Sequence, residues 1–181
     1  MSKNSDEFEY HLYSIGHGNR SFEELLGALR AFDIESLVDV RLLPGSRRYP
    51  QFSRDCLAAT LLEHRIQYRW MRDLGGRRKA RPDSIHTGWS AAGFRGYADY
   101  METTHFQVAL EVLVQAAAGR ATAIMCAERL WWQCHRRLIA DALTVRGLPV
   151  VHILDARKSE AHTLTPFLRI EEGRLVYRGL F

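Results

Sequence analysis

The sequence has few cysteines, no long apolar segment and only a small excess of one charge. It contains three cysteines in 181 residues. This odd number, without disulfide-like spacing, favours a reducing compartment. No apolar run approaches the ~20 residues that a helix needs to cross a bilayer. The opening stretch MSKNSDEFEY carries acidic side chains and lacks the apolar core of a signal peptide. We therefore expect a cytoplasmic protein without a membrane partner.

The net charge of +4 is modest, but the basic residues are unevenly placed. Many fall in one third of the chain: Arg47, Arg48, Arg54, Arg65, Arg69, Arg72, Arg77, Arg78, Lys79 and Arg81. Such a cluster can attract phosphate or nucleic acid. A solvated basic loop is the alternative interpretation.

Apolar periodicity predicts strands that alternate with helices. Strands are expected at residues 10–15, 36–40, 66–70, 121–126 and 149–154, with a hairpin within 167–177. Helices are expected at residues 21–32, from Ser53, at 94–118 in two pieces broken near Thr103, and at 131–146, with a long loop at 74–93. This order is typical of α/β proteins. We predict a single three-layer domain over residues 1–181, with a mainly parallel sheet, helices on both faces, and an extension at 164–181.

The densest group of reactive side chains follows the strand predicted at residues 121–126. Cys126 ends that strand, Glu128 comes next, and Cys134, His135 and Arg136 open the following helix. In α/β proteins, ligands bind at the carboxyl ends of parallel strands. Glu128 and His135 are candidates for proton transfer, because a carboxylate and an imidazole at a strand end rarely serve packing alone.

The two cysteines admit more than one interpretation. Cys134 is expected in the first turns of its helix, facing the sheet, where the dipole and neighbouring cations favour a thiolate. Free cysteine is also a common core residue, so Cys126 and Cys134 could simply line the pocket. Adjacent Cys134 and His135 are awkward ligands for one tetrahedral ion, and no CxxC motif is present. We therefore predict no cofactor, with a zinc ion as the weaker alternative.

Two further groups follow other strands. Asp39 and Arg41 point to the same side of the second strand, as an assisting carboxylate and an anion-binding cation, or as a structural pair. Gly16 and His17 form a turn after the first strand, where backbone amides can hold an anion. Because carboxyl ends of parallel strands share one edge, we expect these residues near Glu128.

Two weaker candidates lie in connecting segments. Arg77 belongs to the basic loop after the third strand, and Tyr97 lies in an aromatic run that opens the long helical region. Aromatic side chains beside arginine can stack on a base, although this spacing is more often core packing.

These motifs together resemble one known family. The matching segments are Ser14-Ile15-Gly16-His17, Asp39-Val40-Arg41 with Pro44, Leu74-Gly75-Gly76, residues 94–101, Met125-Cys126-x-Glu128 and Cys134-His135-Arg136. In this order they resemble the domain-of-unknown-function family numbered 488, over about residues 13–153. The resemblance implies an α/β fold with the motifs gathered at one site, and it implies no reaction. Gly18 departs from the hydroxyl side chain expected there.

A looser similarity connects the chain to rhodanese-like domains. Those domains also have an Asp-Val-Arg strand end and a later strand that closes on cysteine. The segment after Cys126 lacks their glycine-rich thiolate loop, and Trp132 occupies the position where a phosphatase-type Cys-x5-Arg motif has arginine.

Three functions remain open from the sequence. The first is an enzyme, of hydrolase or transferase type, acting on a nucleotide, nucleobase or nucleic-acid component, with Glu128 as acid or base, Asp39 assisting, and Arg41 and Arg136 holding an anionic group. The second is a thiol-based redox or sulfur-transfer protein that uses Cys126 and Cys134. The third is a non-enzymatic nucleic-acid-binding module. The oligomeric state does not follow from the sequence.

Overall fold

The computed structural model describes residues 11–45 and 47–179. The main sheet contains β1 (Leu12–Gly16), β2 (Ser36–Asp39), β3 (Gln67–Trp70), β4 (Thr122–Cys126), β5 (Val150–Ile153) and β6 (Ser159–Ala161). Its strand order is β3-β2-β4-β1-β5-β6. The strands from β3 to β5 pair in parallel, and β6 is antiparallel to β5. A separate hairpin comprises β7 (Leu168–Glu171) and β8 (Arg174–Tyr177).

Five helices cover the two faces of the sheet: α1 (Phe22–Ala31), α2 (Arg54–Glu63), α3 (Ala92–Met101), α4 (Thr104–Ala117) and α5 (Arg136–Val145). On one face, Leu37 and Met125 pack with the leucines of α1 and α2. On the other, Val38 and Ile124 pack with apolar side chains of α3, α4 and α5. Successive side chains of a strand point to opposite faces, which divides the core in two. The predicted three-layer α/β architecture is confirmed.

Local sequence features set several element ends. Ser21 accepts a hydrogen bond from the Glu24 amide, and the Glu24 carboxylate accepts one from the Ser21 amide. This capping box satisfies free N–H groups at the start of α1. Thr103 caps α4 and separates it from α3, at the predicted break. The predicted terminal hairpin is also present.

One predicted helix boundary is wrong, and one strand was not predicted. The sequence predicted one helix over residues 131–146, but the chain forms a short 3-10 turn at Trp131–Gln133 and α5 begins only at Arg136. Cys134 has extended dihedral angles between them, and therefore lies outside any helix. The short strand β6 was not predicted, because Ser-Glu-Ala has no apolar alternation and depends on pairing with β5. Of the first predicted strand, Tyr10 lies outside the described residues, as does the MSKNSDEFEY segment.

No helix in the described part of the chain is long and apolar enough to cross a membrane.

Candidate functional site

A cavity of about 490 Å³ lies at the carboxyl ends of β2 and β4. It is open to solvent. Gly76 of the Leu74-Gly75-Gly76 motif lines it, together with six predicted site residues: Arg41, Arg77, Cys126, Glu128, Cys134 and His135. A larger cavity, about 610 Å³, lies between the end of β3 and α4, and none of the predicted site residues lines it. The strand-end location and the reactive side chains identify the smaller cavity as the candidate site.

Two sulfurs and one imidazole nitrogen converge on the wall of this cavity. Nδ1 of His135 lies 3.6 Å from Sγ of Cys134 and 3.9 Å from Sγ of Cys126. Nε2 of His135 lies 3.0 Å from the carbonyl oxygen of Val40. A carbonyl oxygen only accepts, so Nε2 carries the hydrogen and the lone pair of Nδ1 faces the sulfurs. The sequence indicated that adjacent Cys134 and His135 are awkward ligands for one ion, but the break before α5 brings their ligand atoms and that of Cys126 within 4.8 Å of one another.

The thiols share one negative charge. The Cys126 thiol donates to the Cys134 sulfur; this hydrogen bond, together with burial, raises the pKa of Cys126. Burial alone would raise the pKa of Cys134, but it is lowered well below its usual range by the bond from Cys126 and by the positive charge of Arg136. Cys134 therefore carries the thiolate character. Both sulfurs are buried, with Cys126 at 8% and Cys134 at 3% exposure.

Arg136 lies inside the protein, at 1% exposure. Nε donates to Sγ of Cys134 at 3.3 Å, Nη1 donates to Oγ of Ser14 at 3.0 Å, and Nη2 donates to the carbonyl oxygen of Glu128. All three guanidinium nitrogens therefore have partners within the fold. The expectation that Arg136 presents its guanidinium to an anionic ligand is not met by this arrangement; it positions the strand ends and stabilises the thiolate.

A chain of hydrogen bonds continues from Arg136 across the sheet. Oγ of Ser14 lies 2.8 Å from Nδ1 of His152, Nε2 of His152 lies 2.9 Å from Nδ1 of His162, and Nε2 of His162 lies 2.9 Å from Oδ1 of Asp141. Sequence reasoning missed His152, His162 and Asp141. The one available indication was a histidine in the middle of the apolar strand PVVHIL, since a buried polar side chain needs partners.

Asp39 and Arg41 form a buried ion pair. Oδ1 of Asp39 accepts from the amide and Nε of Arg41, and Oδ2 accepts from Nη2 at 2.6 Å. The Tyr68 hydroxyl also donates to Oδ2 at 2.6 Å. Asp39 is fully buried. The side chains of Asp39 and Cys126 point to opposite faces of the sheet. The ion pair therefore supports the cavity from the face opposite Cys126, and of its two residues only Arg41 reaches the lining.

His17 lies between Arg41 and Phe52. Its Nδ1 donates to the carbonyl oxygen of Gly18 at 2.9 Å, so Nε2 accepts from Nη1 of Arg41 at 3.3 Å. The ring stacks on Phe52 with 4.4 Å between centroids. Burial lowers the pKa of His17 to about 4, and the positive charge of Arg41 contributes. His17 is therefore neutral near pH 7.

Gly16 brings two strand ends into contact. A Cβ at this position would lie 1.9 Å from the carbonyl oxygen of Glu128 and 2.7 Å from Cα of Arg129. No such contact is tolerated, so glycine is required where β1 passes the segment after β4. Gly16 therefore packs against the backbone of Glu128 and Arg129. This leaves no free space beside its Cα for the anion that was predicted to bind at the turn. Gly18, with a φ of 55°, adopts the left-handed region, which explains glycine where a hydroxyl residue was expected.

Replacing Gly16 with alanine should destabilise the fold strongly. The added methyl group meets backbone atoms of Glu128 and Arg129, so the strand ends must separate, at a cost of more than about 3 kcal/mol. Chemical denaturation measures this loss. Gly27→Ala is the matched control: it lies in α1, a Cβ there meets nothing within 4 Å, and the change should stabilise by up to about 1 kcal/mol. Equal stability of the two variants would contradict the packing role.

Glu128 lies on the rim of the cavity and is exposed. Its side chain is therefore accessible to solvent. Its backbone is held firmly all the same: the amide hydrogen-bonds the Cys126 sulfur and the carbonyl accepts from Arg136. Arg77, also on the lining, is exposed and has a positive φ of 58°. The side chains of Glu128 and Arg77 are therefore both accessible to a ligand.

Tyr97 is buried, at 1% exposure. Its hydroxyl donates to the carbonyl oxygen of Leu74 at 2.7 Å, and its ring centroid lies 5.0 Å from that of His135. The Tyr97 ring packs against the imidazole of His135 inside the protein and does not reach the cavity lining. The prediction that Tyr97 stacks on a ligand is not met by this position; its helical spacing indicated core packing correctly.

The basic loop is only partly free to attract an anion. Arg78 lies over the ring of Tyr100 at 3.7 Å, and Arg81 forms ion pairs with Asp99 and Glu102. These two residues therefore stabilise the loop. Arg77 is left as the member of the group that faces the cavity.

Stability should fall in mildly acidic solution because two histidines are held neutral. Burial lowers the pKa of His17 to about 4; burial, with the charge of His162, lowers that of His152 to about 3. Below pH 6.5, the ordinary pKa of histidine, the unfolded chain binds protons at these histidines but the folded chain does not. Each histidine therefore lowers the free energy of unfolding by about 1.4 kcal/mol per pH unit until the pH reaches its pKa in the folded chain. Urea denaturation at pH 7.5 and 5.0 measures the slope. We expect His152→Gln to reduce the slope and His105→Gln, an exposed control, to leave it unchanged. A stability independent of pH over this interval would contradict the neutral assignment.

Comparison with known proteins adds one result. The profile of the family described as Domain of unknown function DUF488 matches residues 21–143. This segment contains Asp39, Arg41 and the whole group from Cys126 to Arg136, while Gly16 and His17 lie before it. Neither the curated proteins nor the solved structures gave a match, so the rhodanese-like similarity stays without support. The family profile covers more than half of the chain, and the protein therefore belongs to the DUF488 family.

Proposed function

We propose that this protein is an enzyme that hydrolyses a nucleotide, nucleobase or nucleic-acid component in the cavity at the ends of β2 and β4. One observation carries the proposal: a single solvent-accessible cavity brings together a carboxylate, an imidazole, two thiols and two arginines. Packing alone does not explain an accessible carboxylate whose backbone is hydrogen-bonded to one of two paired thiols.

The lining favours a substrate that is anionic and partly flat. Arg77 is exposed on this lining and offers a free guanidinium, whereas Arg41 lines the cavity with Nε and Nη2 bound to Asp39 and Nη1 bound to His17. Guanidinium groups bind phosphate oxygens through paired N–H donors. Phe94 is half-buried on the same lining and offers an apolar ring surface. A volume of about 490 Å³ is within the range of sites for small ligands.

Glu128 is the residue placed to move protons. Of the side chains that line this cavity within residues 11–45 and 47–179, it carries the single carboxylate. As a general base it takes one proton from a water molecule, and the oxygen of that water bonds to the electrophilic atom of the substrate. The proton then passes from Glu128 to the leaving group as its bond breaks. Water is the second substrate, and the carboxylate is regenerated.

A substrate panel tests the proposal. Nucleoside monophosphates, nucleosides and short single-stranded oligonucleotides are incubated with the protein, and products are identified by mass spectrometry. We expect one class to be hydrolysed. Ala91→Trp places a large ring on the exposed lining of the cavity and should raise KM at least tenfold. Val108→Trp, on the larger cavity beside α4, is the matched control and should change nothing.

Two outcomes of this panel would contradict the enzyme. The first is that none of the three substrate classes yields a product. Salt-sensitive binding of oligonucleotides without turnover is the other, because it identifies the chain as a nucleic-acid-binding module.

A dithiol function is the second candidate, and the shared proton between Cys126 and Cys134 favours it. In that case the two thiols lose two electrons and two protons to a disulfide substrate and become a disulfide themselves. Mass spectrometry of the protein after exposure to oxidised glutathione decides between the candidates. An internal disulfide that forms readily between these cysteines, with Cys56→Ser as control, supports the redox function. Two free thiols after exposure would exclude it.

A further inference from the structure

We propose that Cys126, Cys134 and His135 bind one zinc ion, with its fourth coordination position open to the cavity. The ligand atoms of these three residues all lie within 4.8 Å of one another. This inference concerns the same cavity as the proposed function, but it stands on ligand geometry and holds whether or not the protein is an enzyme.

The interatomic distances match those of a tetrahedral zinc site. Zn–S bonds of about 2.3 Å and a Zn–N bond of about 2.0 Å, at the tetrahedral angle, separate a sulfur from a nitrogen ligand by about 3.6 Å. The distances from Nδ1 of His135 to the sulfurs of Cys134 and Cys126 are 3.6 Å and 3.9 Å. Both nitrogen–sulfur distances are therefore within a few tenths of an ångström of the separation in a zinc site.

The surrounding hydrogen bonds orient each ligand as a metal requires. His135 donates from Nε2 to the Val40 carbonyl oxygen, which leaves Nδ1 unprotonated and directed at the sulfurs. Metal-binding histidines almost always donate their second N–H in this way. The Glu128 amide hydrogen-bonds the Cys126 sulfur, and Nε of Arg136 donates to the Cys134 sulfur. Such donors stabilise sulfur in the thiolate form, which is the form that binds metal.

The donor set selects the class of metal. Two thiolates and one imidazole are soft or borderline ligands that favour zinc and disfavour magnesium or calcium, which need oxygen. Three protein ligands leave one position for water or substrate, as in catalytic rather than structural zinc sites. All three ligands line the cavity, as does Glu128. In the hydrolysis proposed above, and only if that proposal holds, zinc held by these three residues would activate a bound water in the cavity that Glu128 also lines.

Cobalt(II) provides a spectroscopic test that does not depend on turnover. The full chain is purified, treated with chelator and titrated with cobalt(II). We expect one equivalent to bind with the intense visible absorption of four-coordinate cobalt and a near-ultraviolet thiolate charge-transfer band. Zinc should displace it. Cys126→Ser, Cys134→Ser and His135→Gln should each weaken binding more than about 100-fold, while Cys56→Ser, at the exposed third cysteine, should bind like the original chain.

The outcomes separate the metal site from the proposed function. Circular dichroism of each metal-free variant shows whether it is folded, and only folded variants are compared. The weak absorption of six-coordinate cobalt, cobalt binding unaffected by Cys134→Ser, or no binding at all would overturn the zinc site. Tight four-coordinate binding together with no hydrolysis of any tested substrate would keep the zinc site and reject the proposed enzyme. Glu128→Gln should retain cobalt binding, because Glu128 is not among the three ligands.

Discussion

Replacing Arg136 with methionine is expected to destabilise the protein by about 4 kcal/mol or more. The side chain is buried and donates to the Cys134 sulfur, to the Ser14 hydroxyl and to the Glu128 carbonyl oxygen. Methionine fills much of the volume but supplies no donor. Each buried acceptor that loses its partner costs about 1–3 kcal/mol, and the charged thiolate loses its nearest cation. A loss of this size is a large part of the stability of an ordinary domain.

Thermal and urea denaturation measure this loss, with two comparison variants. Arg136→Lys keeps the positive charge but cannot donate to three separate acceptors, so we expect it to remain close to the methionine variant. Arg129→Met removes an exposed arginine from the neighbouring segment and should change stability by less than about 0.5 kcal/mol. A methionine variant at position 136 as stable as the original chain would show that the hydrogen bonds of the guanidinium do not hold the strand ends together.

The layer order of the fold was predictable because it depends on local patterns. Strands with apolar runs alternate with helices whose apolar residues recur every three or four positions, and that alternation permits few architectures. The capping box at Ser21 and the break at Thr103 are also local, since each depends on residues within one turn. The strand β6 depends on pairing with β5, so no local pattern could predict it.

The location of the site was predictable from a topological rule. Strand ends in a parallel sheet share one edge, and this correctly brings Arg41 and Cys126 to the same cavity. The roles of individual side chains were much less predictable, because they depend on which partners the fold supplies. Arg136 and Asp39 have charges suited to ligand binding, yet their hydrogen bonds are used within the protein.

The ligand geometry at Cys134 and His135 depends on a break that the sequence obscures. The segment from Trp131 onward has helical spacing, and in a regular helix neighbouring residues point about 100° apart. The chain instead leaves the 3-10 turn at Cys134, which takes an extended conformation, and begins α5 only after His135. The stacking of Trp131 on His152 at 4.1 Å accompanies this arrangement. A contact between residues so distant in sequence was not available to sequence reasoning.

Glu128→Gln is expected to reduce hydrolysis by about 100- to 10,000-fold with little effect on stability or substrate affinity. The amide has the same size as the carboxylate but cannot accept and return a proton, and general acid–base groups contribute about this factor. Glu128 is exposed, so the substitution should change the free energy of unfolding by less than about 0.5 kcal/mol. Glu63→Gln, on the exposed end of α2, is the matched control and should retain full activity.

The turnover number and the dissociation constant of the Glu128→Gln variant, measured on the best substrate of the panel, test the proposed function most directly. We expect the turnover number to fall by at least two orders of magnitude while the dissociation constant changes less than about threefold, which is the pattern of an interaction made mainly in the transition state. Full turnover in this variant would contradict the role of Glu128. A matching loss in affinity, with turnover intact on the bound substrate, would show that Glu128 binds the substrate but does not transfer its proton.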